Sequence, residues 1–311
     1  MIITVTPNPA YDVTYEMAEL VVGDVHRVSE VRQRVGGKGL NVARILAALG
    51  ESTVAMALAD KAFAAEARTE GLDVDEVEVA GVRRTLVLHT ADGTTTSLLE
   101  PGHPVSTAAS EQLQHRVAAR LAGATGLVVS GSLPPGVTAD LPAQLASRAV
   151  AVRVPVVVDV DDEALRLAAK VPGVVLMPNR DELTRLVGSD CDEPADVVVA
   201  AQRLLDGGVA GVVATRGPDG LIAVTSEGAW VAALGAELPG NPTGAGDAAV
   251  AGVIRCLAAG DVGWPGLLRD AVAMSAAAVL APAAGDVDLA LYGTLKGRVS
   301  VTTMPTPRCT G

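Results

Sequence analysis

Short apolar runs alternate with stretches of helical periodicity along most of the chain. The runs rich in valine and isoleucine cover residues 2–6, 126–130, 155–160, 174–177 and 211–215. The intervening stretches with apolar residues at helical spacing cover residues 41–49, 110–121, 164–170 and 197–205. Because buried parallel strands are continuous apolar runs, this alternation predicts a parallel sheet covered by helices. The pattern therefore predicts a three-layer α/β domain.

Two segments depart from this pattern, because polar residues separate their apolar positions. They cover residues 12–35 and 85–99, and the sequence Ala91-Asp92-Gly93 is typical of a turn joining two strands of a hairpin. These segments predict a small sheet outside the main domain. The apolar face of such a sheet needs a cover, which either a substrate cleft or a second subunit can provide.

Composition allows one large core and argues against a membrane protein. Hydrophobic residues make up 49% of the 311 residues, although the mean hydropathy of +0.37 raises the question of a membrane span. The low-charge stretch at residues 271–285 is interrupted by Ser275 and Pro282 and is too short to cross a bilayer. The N-terminal apolar run has no basic segment before it, which predicts a first strand rather than a signal peptide.

Charge and cysteine content narrow the partners and the compartment. The net charge is −12 and no run of lysine or arginine occurs, so neither nucleic acid nor a membrane surface is an expected partner. The three cysteines, Cys191, Cys256 and Cys309, are far apart and show neither metal-ligand spacing nor a disulfide framework. This usage predicts a cytoplasmic protein.

A glycine-rich turn, Gly244-Ala245-Gly246-Asp247, precedes a strongly helix-forming segment at residues 248–258. Glycines before a helix allow backbone N–H groups to converge on an anion, and the helix dipole adds about 0.3–1 kcal/mol for an exposed charge. A carboxylate in the same turn indicates a second role, in which Asp247 takes a proton from an attacking hydroxyl. The alternative is an ordinary helix start with an aspartate in its first turn.

One other nucleotide-binding motif competes with this interpretation. Residues 244–249 formally match the dinucleotide pattern of a Rossmann dehydrogenase. The preceding residues 237–242 are a poor strand, and the motif lies at the wrong end of the chain. A Walker A loop is absent from the sequence, because Gly36-Gly37-Lys38-Gly39 lacks the required spacing.

Three further segments carry candidate chemistry. Three glycines surround Lys38 before a helix that contains Asn41, which suits a phosphate clamp, although a solvated lysine explains the same pattern. Asp12 follows the first strand, where ligands of open α/β sheets bind; a simple turn aspartate is the alternative. Asn179 and Glu182 are three residues apart at a helix start and could orient a hydrated Mg²⁺, or form a helix cap.

Taken together, these motifs resemble the ribokinase-like (PfkB) sugar kinases. The resemblance rests on residues 36–44 and on the turn Thr243-Gly244-Ala245-Gly246-Asp247. Residues 4–10, 100–102 and 130–136 are similar to the 1-phosphofructokinase and tagatose-6-phosphate kinase branch. The family implies a three-layer α/β/α core over residues 1–311 with a β-sheet lid formed by about residues 12–35 and 84–100. It also implies ATP, Mg²⁺ and a sugar-phosphate substrate, and suggests a homodimer through the lid sheet.

The resemblance implies three groups of site residues. Asp247 is the implied base, with Gly244, Ala245 and Gly246 as the anion hole. The implied sugar-phosphate ligands are Asp12, Gly37, Lys38, Asn41, Arg84, Ser130 and Ser132. The implied nucleotide ligands are Asn179, Thr215, Gly217, Gly220 and Thr243, with Asn179 and Glu182 binding Mg²⁺ through water.

The sequence departs from the branch at three places. Met177 stands where the branch usually has a lysine, residues 57–62 replace a segment rich in glycine and aspartate, and Leu86 replaces a common asparagine. The expected activity is phosphorylation of fructose 1-phosphate, with tagatose 6-phosphate, fructose 6-phosphate, another sugar or a nucleoside as alternative acceptors. A binding protein without catalytic activity on a kinase scaffold is the alternative of another class.

Overall fold

The computed structural model describes residues 1–235, 238, 240–260, 263–281 and 285–306. The strands within these residues are β1 (Ile2–Thr6), β2 (Ala10–Met17), β3 (Glu30–Gly36), β4 (Thr53–Ala59), β5 (Val74–Glu78), β6 (Arg83–Thr90), β7 (Thr95–Leu99), β8 (Gly126–Ser130), β9 (Val156–Asp159), β10 (Val175–Leu176), β11 (Gly211–Thr215), β12 (Leu221–Thr225), β13 (Gly228–Ala233) and β14 (Ser300–Met304). The helices are α1 (Lys38–Ala48), α2 (Lys61–Thr69), α3 (Thr107–Leu121), α4 (Leu141–Ala151), α5 (Asp162–Ala168), α6 (Arg180–Val187), α7 (Pro194–Asp206), α8 (Ala245–Ala259), α9 (Trp264–Val279) and α10 (Leu289–Lys296).

A ten-stranded sheet forms the centre of the molecule, in the order β14-β13-β12-β11-β10-β9-β8-β1-β4-β5. Neighbouring strands from β11 to β5 are parallel, whereas β12, β13 and β14 are antiparallel at one edge. The five apolar runs predicted from the sequence form β11, β10, β9, β8 and β1, which are consecutive in the sheet. These strands are buried on both faces, and for that reason their runs are uninterrupted; β4 and β12 are buried in the same way but were not among the predicted runs.

Alternate residues of each central strand enter two separate hydrophobic cores. On β8, Leu127 and Val129 pack with residues of α3, α4, α5 and α7 on one face of the sheet. Val128 points to the opposite face and packs with residues of α1, α8, α9 and α10. Since successive side chains of a strand face opposite ways, this division places one helical layer on each face. The predicted three-layer α/β arrangement is confirmed.

A second, four-stranded sheet has the order β3-β2-β6-β7 and is called the small sheet below. Strand β2 runs parallel to β6, and both outer strands are antiparallel to their neighbours. The predicted turn at Ala91-Asp92-Gly93 joins β6 and β7, and Gly93 has φ +86°. The connection between β2 and β3 is not a strand, in contrast to the continuous extended segment expected over residues 12–35.

Strand β3 leads directly into α1, which begins at the edge of the central sheet. Gly37 lies between them with φ +106°. A Cβ atom at Gly37 would lie 3.0 Å from both Pro9 Cα and Thr6 Cγ2, so the close approach and the positive φ both favour glycine. In the part of the chain that the structure describes, none of the helices is long and apolar enough to cross a membrane.

Helices α8 and α9 cross at Gly252, which lies against the backbone of α9. A Cβ atom at Gly252 would approach Ala271 Cα to 2.7 Å, so even one methyl group would force the two helices apart. Gly293 on α10 offers the opposite case, because it is exposed and a Cβ atom there would meet nothing within 4 Å. The two glycines therefore separate helix packing from helix propensity.

We expect Gly252→Ala to lower the free energy of unfolding by about 1–3 kcal/mol, because the added methyl overpacks the α8–α9 contact. Gly293→Ala should instead raise it by about 0.5–1 kcal/mol, because alanine loses less backbone entropy in a helix. Urea denaturation of both variants measures the difference. Equal effects of the two substitutions would show that the α8–α9 contact is loosely packed.

Candidate active site

The candidate site lies at the carboxyl edge of the central sheet. Ser130 ends β8, Asp159 ends β9 and Thr215 ends β11, so these side chains meet at one edge. The amino terminus of α1 is at the same edge, because a Cβ atom at Gly39 would lie 2.8 Å from the carbonyl oxygen of Val5. Ligands of open α/β sheets bind at such edges, as the sequence analysis assumed for Asp12.

Asp247 lies in the first turn of α8, and its side chain is buried. The residue is 6% exposed, and Asn41 Nδ2 donates a hydrogen bond of 2.9 Å to its Oδ2 atom. Burial raises the pKa of Asp247 to about 7; Lys38 and the bond from Asn41 lower it, whereas the carboxylates of Asp159 and Asp12 raise it. Asp247 can therefore exist as a free base near neutral pH.

The turn before α8 presents backbone donors. Gly244 caps the helix in the left-handed conformation, with φ +85°. The N–H of Ala245 donates to the carbonyl of Pro242 at 3.1 Å. For the N–H groups of Gly246 and Asp247, no acceptor is found among the described residues. A helix start leaves such groups without intrahelical partners, so they are available to an anion.

The side chain of Lys38 is 43% exposed, as the solvated alternative held, but its ammonium group is paired with a carboxylate. Its Nζ atom lies 3.0 Å from Asp159 Oδ1, and Ser130 Oγ donates to Asp159 Oδ2 at 2.8 Å. Burial alone would lower the pKa of Lys38, but the carboxylates of Asp159, Asp247 and Glu182 raise it overall. Asp159 thus joins two residues that the sequence analysis selected, although it was not itself selected.

A second contact links Ser132 to the turn after β1. Asn8 Nδ2 lies 3.1 Å from Ser132 Oγ and 3.2 Å from the carbonyl oxygen of Pro101. Gly102, with φ +98°, lies so close that a Cβ atom there would be 2.4 Å from Asn8 Oδ1. Asn8 therefore holds together the three segments that are similar to the 1-phosphofructokinase and tagatose-6-phosphate kinase branch.

Asp12 lies beside Gly36, at the end of β3 that leads into α1; this end is called the root of the small sheet. A Cβ atom at Gly36 would lie 2.0 Å from Asp12 Oδ2, so only glycine fits beside this carboxylate. Burial raises the pKa of Asp12 to about 6, against the lowering effects of a hydrogen bond with Thr85 and of the charge of Arg83. At neutral pH the carboxylate of Asp12 is therefore mostly ionised.

The two adjacent arginines of β6 lie in different environments. Arg84 has a side chain 62% exposed and pairs with the carboxylate of Glu100, with 2.8 Å between Nη2 and Oε1. Arg83 points to the other face of the strand and donates to the carbonyl oxygens of Asn8 (3.3 Å) and Glu100 (2.9 Å). Sequence reasoning selected Arg84, whereas Arg83 is the arginine whose charge acts on Asp12.

Three of the five nucleotide residues implied by the resemblance line one cavity of about 480 Å³. Thr215, Gly217 and Gly220 line it together with Ala245 and Gly246, so the turn after β11 and the start of α8 share one space. Gly220 has φ +84°, and a Cβ atom there would lie 2.1 Å from the carbonyl oxygen of Ala232. Pro242 also lines the cavity.

Thr243 belongs to the short loop that leads into α8. Its N–H donates to Asn241 Oδ1 at 3.0 Å, which fixes the backbone just before the Gly244 turn. Thr243 is therefore held next to the cavity through the loop geometry, while its neighbours Pro242 and Ala245 line the wall.

Asn179 and Glu182 form a helix cap, which was the alternative to a metal site. Asn179 Oδ1 accepts from the Glu182 N–H, and Glu182 Oε2 accepts from the Asn179 N–H, both at 2.8 Å. A β-bridge between Asn179 and Thr215 places this cap beside the nucleotide turn. Burial raises the pKa of Glu182, opposed by the Asn179 N–H and by Lys38. Its Oε1 atom is not part of the cap.

Two other observations bear on the metal and on Met177. Over the described ranges, no group of three or more His, Cys, Asp or Glu residues is arranged to bind a metal ion directly.

Met177 is 2% exposed and packs in the core cluster that includes Ala248 and Ala249 of α8. The side chain at this position is therefore part of the core and is not among the residues that line the cavity.

Comparison with known proteins places this geometry in a family. A family model described as pfkB family carbohydrate kinase matches residues 5–289. The chain belongs to the pfkB family of carbohydrate kinases. Membership confirms the resemblance inferred from the two glycine motifs, makes the protein a sugar kinase that transfers a phosphoryl group to an alcohol, and excludes the dehydrogenase alternative.

Solved structures similar to this pfkB kinase include phosphofructokinases. Phosphofructokinase-2 from Escherichia coli in complex with fructose-6-phosphate is 31% identical with a TM-score of 0.82, covering 94% of this chain and 98% of that chain. A possible 1-phosphofructokinase from Thermotoga maritima is 24% identical with a TM-score of 0.88, covering 98% and 99%. Ribokinase from Arabidopsis thaliana, complexed with ribose and ATP, is 19% identical with a TM-score of 0.73, covering 95% and 98%, and shows the ribokinase-like fold.

We expect Asp247→Asn to raise the melting temperature at about pH 8 and to lose this gain as the pH falls toward 4. Burial raises the pKa of Asp247 from 3.8 to about 7, so the folded chain retains a proton that the unfolded chain releases between these values. The contribution of protonated Asp247 to the free energy of unfolding is therefore lost as the pH rises through about 7. Asparagine does not ionise, so the variant avoids that loss.

Asp75→Asn is the control of opposite sign for this measurement. Hydrogen bonds from Arg120 and Arg116 outweigh burial and lower the pKa of Asp75, so its charged form stabilises the fold. Asp75→Asn should therefore lower the melting temperature at about pH 8. Thermal unfolding across the pH range measures both variants, and a lower melting temperature of Asp247→Asn at pH 8 would contradict the expected cost of burying this carboxylate.

Proposed function

We propose that this kinase transfers the γ-phosphoryl group of ATP to a hydroxymethyl oxygen of a ketohexose phosphate, converting fructose 1-phosphate to fructose 1,6-bisphosphate. One observation carries the proposal. The buried carboxylate of Asp247 lies in the first turn of α8, whose N–H groups adjoin the cavity lined by Thr215 and Gly217, and Asn41 of α1 donates to it. A base, an anion site and a nucleotide-sized cavity therefore share one end of one helix.

In this mechanism the chain supplies a base and fixed dipoles rather than a covalent intermediate. Asp247 accepts the proton of the attacking hydroxyl, and its pKa of about 7 suits a base at neutral pH. The N–H groups at Gly244, Ala245 and Gly246 stabilise the negative charge of the phosphoryl group during transfer, and that of Ala245 must exchange its bond to the carbonyl of Pro242 to do so. Donors that are already oriented need no reorganisation at that moment, which is why such sites are effective.

The cations near the base favour a substrate that already carries a phosphate. Lys38 lies within the field of Asp247, Asp159 and Glu182, and Arg84 lies at the rim of the small sheet. Lys38 is already paired with Asp159 and Arg84 with Glu100, so a substrate phosphate would be a second anion for Lys38 and would replace Glu100 at Arg84. We assign the sugar-phosphate ligands as in the resemblance: Asp12, Gly37, Lys38, Asn41, Arg84, Ser130 and Ser132.

Arg84 needs one rearrangement to serve in this role. Its guanidinium group is engaged by the carboxylate of Glu100, so binding of a substrate phosphate requires exchange of that partner. The pair is on the surface, and exposed pairs are worth about 0–1 kcal/mol, so the exchange is inexpensive.

We assign ATP to the cavity at the start of α8. The assigned nucleotide ligands are Thr215, Gly217, Gly220, Thr243 and Asn179. Glu182 fits a hydrated Mg²⁺, because its Oε1 atom lies outside the cap and hard oxygen ligands suit this ion. When bound, Mg²⁺ would neutralise charge on the ATP phosphates. The capping box keeps Asn179 and Glu182 in one orientation at this position.

Fructose 6-phosphate is a second candidate acceptor. The specific observation in its favour is the 31% identity with phosphofructokinase-2 from Escherichia coli, which was solved with fructose-6-phosphate. Tagatose 6-phosphate remains a third acceptor, from the branch resemblance. Each of these sugars carries one phosphate and one free hydroxymethyl group, so the same base and anion site serve all of them.

We also propose a cytoplasmic homodimer joined through the small sheet. Seven of the ten large apolar side chains that are exposed in the described residues lie on this sheet or on the connection between β2 and β3: Leu20, Val21, Val22, Val25, Val31, Leu98 and Leu99. Exposed apolar clusters of this kind mark interfaces. Cys191 and Cys256 are free and buried, which fits a reducing compartment.

We expect Asp247→Ala to lower turnover by about 10²–10⁴ while ATP binding survives, because general-base catalysis contributes this factor. ADP release with Mg²⁺ATP is measured across fructose 1-phosphate, fructose 6-phosphate, tagatose 6-phosphate and ribose, and calorimetry measures ATP binding. Preference for ribose would overturn the phosphorylated-substrate proposal. Nucleotide binding without transfer to any sugar would favour the non-catalytic alternative.

Sedimentation equilibrium tests the dimer. The wild type should sediment with twice the mass of one chain, and the double variant Val25→Asp/Leu99→Asp should sediment as a monomer, because buried charges oppose association. Val152→Asp is the matched control: Val152 is exposed at the end of α4, outside the small sheet, and its substitution should leave the dimer intact. A monomeric wild type at micromolar concentration contradicts the proposal.

A further inference from the structure

Arg44 is a buried arginine that the motif comparison included but gave no role. It lies on α1, three residues after Asn41, and is 8% exposed. Its Nη1 atom lies 3.3 Å from Asn41 Oδ1, and its Nη2 atom donates to the carbonyl oxygen of Val35 at 2.9 Å. Nη2 also pairs with the carboxylate of Glu70. All three contacts are with groups between the small sheet and the base.

The contact with Arg44 favours one orientation of the Asn41 amide, the same one that the carboxylate of Asp247 favours. A guanidinium group only donates hydrogen bonds, so the amide atom beside Arg44 must be the oxygen, Oδ1. The amide nitrogen Nδ2 is then directed to Asp247 Oδ2, 2.9 Å away. With the amide reversed, two oxygen atoms would face each other at Asp247 and two donors would face each other at Arg44. The bond to the base therefore depends on Arg44.

Arg44 is held in turn by the root of the small sheet. Glu70 Oε1 accepts from the N–H of Val35 at 3.3 Å, while Arg44 binds the carbonyl oxygen of the same residue. Arg34, the preceding residue on β3, contacts Glu70 at 3.5 Å and Asp286 at 2.8 Å. A continuous set of polar contacts thus runs from the end of β3 through Arg44 and Asn41 to Asp247.

We propose that Arg44 is a positioning residue, which fixes the amide of Asn41 so that this amide donates its hydrogen bond to the base Asp247. The inference rests on the proposed role of Asp247 as the general base. Arg44 itself touches neither the carboxylate of Asp247 nor the cavity, so its effect on catalysis passes through Asn41.

The charged groups near Asp247 and near Arg44 determine how the pKa of Asp247 changes when the contacts between these two residues are lost. Asp247 faces Lys38 of α1, Asp159 at the end of β9 and Asp12 of β2. Arg44 faces Arg34 of β3, Glu70 after α2, Asp286, and Asp12 of β2. Because the amide of Asn41 favours the ionised form of Asp247, losing its donated bond raises the pKa of Asp247 further. A bond to a charged group corresponds to a shift of about one pH unit.

The experiment measures kcat/KM against pH for the wild type and for Arg44→Met, Arg44→Lys, Asn41→Leu and Asn41→Leu/Arg44→Met. We expect Arg44→Met to move the acidic limb upward by about one pH unit. Arg44→Lys should move the acidic limb less than Arg44→Met does, because lysine can still donate one bond to Asn41 Oδ1. In the Asn41→Leu background, Arg44→Met should cause no further shift.

Two more variants guard against a purely structural effect. Arg116→Met removes an arginine that binds Asp75 and the carbonyl of Glu76, far from the site, and should lower the melting temperature without moving the pH profile. Gly285→Ala leaves Arg44 in place, but its Cβ atom would lie 2.7 Å from Asn41 Oδ1 and 3.1 Å from Arg44 Nη1. By displacing that contact, Gly285→Ala should reproduce the direction of the Arg44→Met shift.

The outcomes separate this inference from the function on which it rests. Unchanged pH profiles of Arg44→Met and Gly285→Ala, with Asp247→Asn inactive, would overturn the role of Arg44 and leave the base assignment standing. A full shift of Arg44→Met in the Asn41→Leu background would show that the charge of Arg44 acts directly on Asp247, which also overturns the inference. Activity of the Asp247→Asn variant would instead overturn the assignment of Asp247 as the base.

Discussion

The burial of one carboxylate, Asp247, is the constraint on which the rest of the site depends. An isolated ionised carboxylate in a protein interior is unstable and takes up a proton, as the pKa of about 7 reflects. In the proposed role as a base, Asp247 must nevertheless release that proton near neutral pH, and this requires groups that favour the ionised form. Asn41 and Lys38 supply this, one by a hydrogen bond and the other by charge.

The side chains of Lys38 and Asn41 are themselves held in place by contacts with other residues, because their neighbours in the chain do not fix them alone. Lys38 is bound by Asp159, which also binds Ser130, so the end of β9 fixes the lysine at the amino terminus of α1. Asn41 is oriented by Arg44, and Arg44 is bound by Glu70 and by the backbone of β3. The site is therefore built from the central sheet, α1, α8 and the root of the small sheet together.

Much of the fold follows from the sequence pattern because the central strands are buried on both faces. The strands β1, β8, β9, β10 and β11 are uninterrupted apolar runs, and their chain order predicted a parallel sheet. The edge strands β5 and β14 were not predicted, since residues such as Asp75, Glu76 and Thr303 interrupt their apolar positions. Their place in the sheet is decided by pairing with β4 and β13, which the local pattern does not encode.

The residues of the candidate site likewise fall into those that the sequence pattern predicts and those that only the fold brings together. Glycine motifs are local, because Gly37 and Gly244 need positive φ whatever surrounds them, and so the two turns could be found from the sequence. Asp159 could also have been found, since it ends a predicted strand at the edge where Asp12 was expected.

What only the tertiary structure decided is which side chains meet. The sequence determined the two glycine turns, the central strands and the acidic, cysteine-poor composition, because each depends on residues close together in the chain. The contact between Asn41 and Asp247 joins residues 206 positions apart, and that between Lys38 and Asp159 joins residues 121 positions apart. The different environments of Arg83 and Arg84 likewise depend on the face of β6 that the folded sheet turns toward Asp12. Such contacts exist only once α1, α8 and the sheet edges are packed, because no local propensity fixes the distance between them.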